Sequence, residues 1–124
     1  MLEMKQTESQ IQKAILSWGL YKKILMHRIN VIGVPTQDGF RPSSNVGMAD
    51  ILCTYVVQKI PVTIWLEVKT AKGKMSSNQI AFRDNVIRHK GHYYVVRSIE
   101  DVESALKEVE ILTIANINKV EEKK

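Results

Sequence analysis

Two runs dense in β-branched and aromatic residues, 48 to 57 (Met-Ala-Asp-Ile-Leu-Cys-Thr-Tyr-Val-Val) and 62 to 70 (Val-Thr-Ile-Trp-Leu-Glu-Val-Lys-Thr), are separated only by Gln58-Lys59-Ile60-Pro61. So short a link suits an antiparallel hairpin, and that one pairing constrains what the rest of the chain can build. Side chains alternate between the faces of a strand, so Thr63, Trp65, Glu67 and Lys69 share one side and Val62, Ile64, Leu66 and Val68 the other. The second set is a core face. The first turns ionic only towards its C-terminal end. With the turn near residues 59 and 60, the start of one strand lies opposite the end of the other, which brings Asp50 close to Glu67 and Lys69.

Convergent carboxylates repel and raise each other's pKa unless a cation neutralises them. Carboxylate and carbonyl oxygens with open water positions suit Mg²⁺ or Mn²⁺, hard ions that keep waters and bind phosphates. Taken alone, Glu67 and Lys69 also fit an exposed ion pair, and Asp50 a turn residue after Gly47. A zinc site built from His27, Cys53, His89 and His92 is a poorer reading, because His89 and His92 straddle a helix end and a strand start while Cys53 falls in an apolar strand.

Further candidates come from helices. The spacing predicts a helix from about Thr7 to Tyr21, opened by a Thr7–Gln10 capping box, with Ile11, Ala14, Ile15 and Trp18 as its inward stripe. Glu8 stands on that same face, either as a third carboxylate of the site or as an acid that complements the helix dipole. A second helix starts at Ser76 or Ser77 and ends by Gly91, with Ile80, Arg83, Val86, Ile87 and Lys90 along one flank. Its first turn carries Gln79. The short connection from Lys69 is expected to bring the Gln79 amide towards the pocket.

The remaining segments complete a single domain over residues 1 to 124, of ordinary globular composition. Residues 24 to 34 read as a first strand bearing Arg28. Pro35 to Gly47, rich in Pro, Gly, Ser, Asn and Asp, reads as a loop bearing Arg41 and suited to act as a flap. His92 to Arg97 reads as a strand, and Ser98 caps a last helix striped by Ile99, Val102, Leu106 and Val109. The apolar run 111 to 117 fits strand or helix, and 118 to 124 is expected to be a frayed C-terminal tail. No stretch is long enough to span a membrane, the first ten residues are polar, and the single Cys53 reads as a reduced core residue. A cytoplasmic location is the expectation.

The element order α-β-β-β-α-β-α, with the residues Thr7-Glu8-Ser9, Gly47-Met48-Ala49-Asp50, Ile64-Trp65-Leu66-Glu67-Val68-Lys69, Ser77-Asn78-Gln79 and Gly91-His92-Tyr93-Tyr94-Val95-Val96-Arg97-Ser98, resembles the PD-(D/E)XK nucleases. More narrowly it resembles the VRR-NUC (virus-type replication-repair nuclease) family, whose compact stand-alone members occur in phages and bacteria. The resemblance covers most of the chain. It implies an α/β restriction-endonuclease-like core, a mixed central sheet flanked by helices. It also implies Asp50, Glu67 and the Val68 carbonyl as ligands of Mg²⁺ or Mn²⁺, Glu8 completing the acidic cluster, directly or through water, Lys69 orienting or activating the attacking water, and Gln79 in support. One departure is visible: the family commonly has proline before the aspartate, where this chain has Ala49. That position shapes backbone and binds no metal.

A formal net charge of +5 agrees with a polyanionic partner, more so because several of the acids belong to the site and the last helix. Lys72 and Lys74, just beyond Lys69, are the best-placed phosphate binders, with Arg28, Arg41 and Arg83 as further candidates. No helix resembles one that reads base edges, so recognition by DNA shape is expected. The resemblance implies a homodimeric, structure-selective endonuclease of DNA repair, without organic cofactor or membrane partner, with cleavage of four-way (Holliday) junctions as the preferred activity. A nickase or flap nuclease of the same fold is one alternative. A non-catalytic DNA-binding protein is another, and the complete set of Glu8, Asp50, Glu67 and Lys69 argues against it.

Overall fold

The hairpin expected between the two β-rich runs is the centre of the computed structural model, which describes residues 5–29, 34–36, 39–41 and 47–122. In chain order the elements are α1 (Glu8–Tyr21), β1 (Leu25–Arg28), β2 (Val34–Thr36), β3 (Gly39–Arg41), β4 (Ile51–Val57), β5 (Ile60–Val68), α2 (Ser77–Arg88), β6 (His92–Val96) and α3 (Ile99–Glu122). β4 and β5 pair antiparallel from Ile51↔Leu66 to Val57↔Ile60, a tighter closure than expected, with only Gln58 and Lys59 in the turn. Both turn residues have positive φ, 48° and 69°, the handedness that matches strand twist but that non-glycine residues adopt at a cost. Pro61 stands opposite Val56, a position whose missing N–H would have pointed away from β4, where β6 has not yet begun to pair.

The principal sheet has the order β1-β4-β5-β6. β1 and β5 are antiparallel to β4, whereas β6 is parallel to β5 and joined to it through α2. The chain is therefore an α/β protein with a mixed sheet flanked by helices. The apolar face of β5 is the one the alternation predicts: Ile64, Leu66 and Val68 are fully buried with Ile51 and Cys53 of β4, under Ile11 and Ile15 of α1 and Val102, Leu106 and Val109 of α3. The opposite face carries Trp65 and Tyr93, register partners that both meet Phe82 of α2, at ring-centroid distances of 5.1 Å and 6.2 Å. None of the residues of α2 is buried.

The expected caps form. Thr7 and Gln10 make a capping box at α1, Ser76 and Gln79 make another at α2, and the Ser98 hydroxyl accepts from the Asp101 amide at the start of α3. Three expectations are corrected. The single strand expected over residues 24 to 34 is, in its described parts, β1 over Leu25–Arg28 only, with Val34 already in β2. The stretch expected as an irregular loop from Pro35 to Gly47 contains, in its described parts, the two-stranded β2–β3 hairpin, whose three-residue strands offer too little alternation to read. In the C-terminal segment, 111 to 117 takes the helical one of its two alternatives, and α3 continues as far as Glu122, so 118 to 122 is not a frayed tail. Its half-buried residues Thr113 and Ile117 prolong the Val102–Leu106–Val109 stripe and Val120 follows on that side but is exposed, while Ile111 and Leu112 lie off it and exposed, which hides the helical period in the sequence.

Candidate active site

β5 and β6 run parallel and end side by side, and β4 begins opposite the end of β5, so the strand ends converge where ligands bind in open α/β sheets. β4 stops at Ile51, opposite Leu66, and the next position across from β5 is occupied by Asp50. Its Oδ2 accepts the Val68 amide at 2.8 Å, in place of the backbone partner the ladder would otherwise supply. The N–H and C=O of a strand residue point to the same neighbour, so the Val68 carbonyl is also directed to the Asp50 side. The segment before Asp50 is fixed by Gly47, whose φ of +88° and approach to α2 admit no side chain, since a Cβ there would lie 2.4 Å from the Asn78 carbonyl oxygen. Ala49, which precedes Asp50, is fully buried.

Glu67 is 0 % exposed, and neither carboxylate oxygen has a hydrogen-bond partner. Burial first, and then the neighbouring Asp50 carboxylate, push its pKa up to about 9, with Glu8 adding to the effect and Lys69 opposing it. A buried carboxylate beside another, without donors of its own, requires either a proton or a cation. Lys69, only 6 % exposed, carries its ammonium within 3.8 Å of Glu8 Oε1. Glu8 thus reaches the site through the lysine. Among the described residues no third His, Cys, Asp or Glu completes a three-side-chain metal cluster with Asp50 and Glu67. The donors that face one another are two carboxylates and a backbone carbonyl, a hard oxygen set that leaves positions for water and substrate, as Mg²⁺ or Mn²⁺ requires.

Gln79 does not point into this pocket. Its side-chain Oε1 accepts the Ser76 backbone amide at 2.8 Å and its backbone N–H donates to Ser76 Oγ, so the side-chain oxygen is held at the N-terminus of α2. The ligands of the zinc alternative stay apart: Cys53 is in the core, its thiol pushed up to about 11 by burial, His89 Nδ1 lies against the Asn85 carbonyl, and His27 is exposed on β1.

Beside Lys69 lies a cleft of about 610 Å³ lined by Lys5, Gln6, Thr70, Lys72 and Arg97, and no acidic residue among those described lines it. Arg97 donates through one guanidinium nitrogen to the Thr70 carbonyl and to the Gly73 carbonyl, the latter at 3.0 Å, which pins the 70–73 loop that carries Lys72. Lys74 is exposed outside the cleft lining. Arg28 is exposed on β1 directly across from Ile51, one residue from Asp50. Arg83 is not a free cation, since it pairs with Asp84 at 3.0 Å. The Arg41 side chain lies outside the described residues. Lys5, Tyr93 and Arg97 belong to the site region and were not anticipated. The signal for Arg97 and Tyr93 is the parallel crossover, which sets the end of β6 beside Lys69 and one face of β6 beside Glu67.

Compared with protein-family models and with curated proteins, the chain matches none.

Proposed function

We propose that this chain is a Mg²⁺- or Mn²⁺-dependent DNA endonuclease of the PD-(D/E)XK type, close to the VRR-NUC nucleases, which cuts branched DNA as a homodimer, with four-way junctions as its preferred substrate. The observation that carries this reading is the buried Glu67 carboxylate, unpartnered at both oxygens, set against Asp50 with the nearly buried Lys69 two residues on. An arrangement so unfavourable without a cation stabilises nothing by itself and is typical of groups placed for chemistry.

Asp50, Glu67 and the Val68 carbonyl would hold the ion. When bound, it supplies charge to polarise a phosphoryl oxygen and acidify water. Lys69 places a positive charge beside the scissile phosphate, where negative charge accumulates as the P–O bond is broken, and Glu8 keeps that ammonium directed into the site. The Lys5, Lys72 and Arg97 cleft continues from Lys69 and suits the phosphates of the same strand, a contact set that reads backbone shape and not base sequence.

The test is a cleavage assay in Mg²⁺ or Mn²⁺ on single-stranded, duplex, flap and four-way-junction DNA, with Lys69→Ala as control. Symmetric paired nicks confined to the junction, lost in the control, are expected. Cleavage of flaps alone would replace the substrate assignment, and binding without cleavage in either metal would leave a non-catalytic DNA-binding protein.

A further inference from the structure

Among the described residues, the buried side-chain oxygens and nitrogens without a hydrogen-bond partner are Glu67 Oε1, Glu67 Oε2 and Tyr93 Oη. They belong to one place. Tyr93 pairs with Trp65 and Val95 with Glu67 across the parallel strands, so Tyr93 and Glu67 are diagonal neighbours on one sheet face, a separation that aromatic and long side chains span. Phe82 of α2 packs on the same face and holds the ring. Burial pushes the pKa of the Tyr93 hydroxyl up, the charges of Glu67 and Asp50 push it further and that of Arg83 opposes them, which places all three within electrostatic reach.

A phenol that only packed would cost stability for every buried, unsatisfied hydroxyl, and phenylalanine would fill the same space without that penalty. The hydroxyl is a donor and the carboxylate, once a bound cation holds it ionised, is acceptor-only, so the two orphans are complementary. The two are not bonded to each other in this structure, and a hydrogen bond from the phenol to the ionised carboxylate would satisfy both residues. We propose that Tyr93 is a positioning residue of the carboxylate site: when the pair binds a cation and Glu67 is ionised, the Tyr93 hydroxyl donates to its carboxylate and fixes it in the orientation that faces Asp50. The inference rests on Asp50 and Glu67 forming a cation site. Hydrogen-bonding partners of metal-binding carboxylates commonly govern affinity by 10- to 100-fold.

The experiment is calorimetric titration of Mn²⁺ into the full chain as wild type, Tyr93→Phe and Tyr94→Phe. Tyr94 is the internal control, because it projects to the opposite face, where burial and Glu108 of α3 push its phenol up to about 12. Tyr93→Phe is expected to weaken Mn²⁺ binding by about 10-fold, with melting in EDTA unchanged or raised, while Tyr94→Phe binds as wild type. If wild type binds Mn²⁺ and Tyr93→Phe binds it equally well, the Tyr93 assignment falls and the cation site stands. If wild type binds no Mn²⁺, both fall.

Discussion

Asp50 Oδ2 accepts the Val68 amide at 2.8 Å, so a side chain completes the β4–β5 ladder at the point where β4 ends. One carboxylate of the pair is thereby positioned by the sheet's own hydrogen-bonding pattern. The other, Glu67, is positioned by the alternation of β5 and has no such partner. This difference separates a structural share of the site from a share that only a ligand satisfies.

Asp50 therefore has a part in folding as well as in the proposed chemistry. Asp50→Ala is expected to destabilise the chain by about 1 kcal/mol through the lost Val68 hydrogen bond. Asp50→Asn keeps an oxygen for that amide and is expected to melt at or above the wild-type temperature. Both are expected to lose cleavage, so denaturant melts alongside an activity assay separate the two roles.

Glu67 makes metal-free stability depend on pH. Below its ordinary value of 4.5 the group is protonated in the folded and the unfolded chain alike, and it takes nothing from stability. Between 4.5 and about 9 the unfolded chain releases a proton that the folded chain retains, so its contribution falls as pH rises across this window and levels off above it. Urea melts in EDTA across that window are expected to show the decline. Glu67→Gln is expected to flatten it, and saturating Mn²⁺ to offset it, because binding the ion favours the ionised pair.

Gln79 offers a separation of a different kind. As the second half of the Ser76 capping box, its replacement by Ala is expected to cost about 1 kcal/mol of stability and to leave kcat nearly unchanged below the melting transition. A collapse of kcat in a normally stable Gln79→Ala protein would instead return the amide to the site.

Along the cleft, Lys72→Ala is expected to weaken binding to all DNA shapes alike and to reduce the slope of log K against log salt by about 1. Arg97→Ala is expected to do more, since it removes a cation and also releases the Thr70 and Gly73 carbonyls that fix the loop. Fluorescence anisotropy over a salt series measures both.

The β4–β5 turn is open to improvement. Gln58 and Lys59 hold left-handed backbone that Asn and Gly adopt with little strain, so Gln58→Asn with Lys59→Gly is expected to raise stability by about 1 to 2 kcal/mol. The site is at the other end of the hairpin, and cleavage is expected to be unaffected.

The parts of the site legible in the sequence were those set by local rules. Period-two alternation put Glu67 and Lys69 on one face, the hairpin brought Asp50 opposite, and capping signals located the starts of α1 and α2. The same capping signal also held the answer for Gln79, because a glutamine three residues after Ser76 satisfies the helix end before it can serve a pocket. Arg97 and Tyr93 depend on β6 lying parallel beside β5, a long-range pairing that neither segment encodes by itself.

By itself, then, the sequence determined the elements, the apolar faces and the convergence of Asp50 with Glu67, because alternation, capping and a short turn act over a few residues. Only the tertiary structure decided that Glu67 is buried without a partner, that Glu8 forms its ion pair with Lys69, and that Tyr93 shares the face of Glu67. Burial and electrostatic contact are set by which elements pack together, and here the decisive contacts join α1, β4, β5 and β6 across most of the chain.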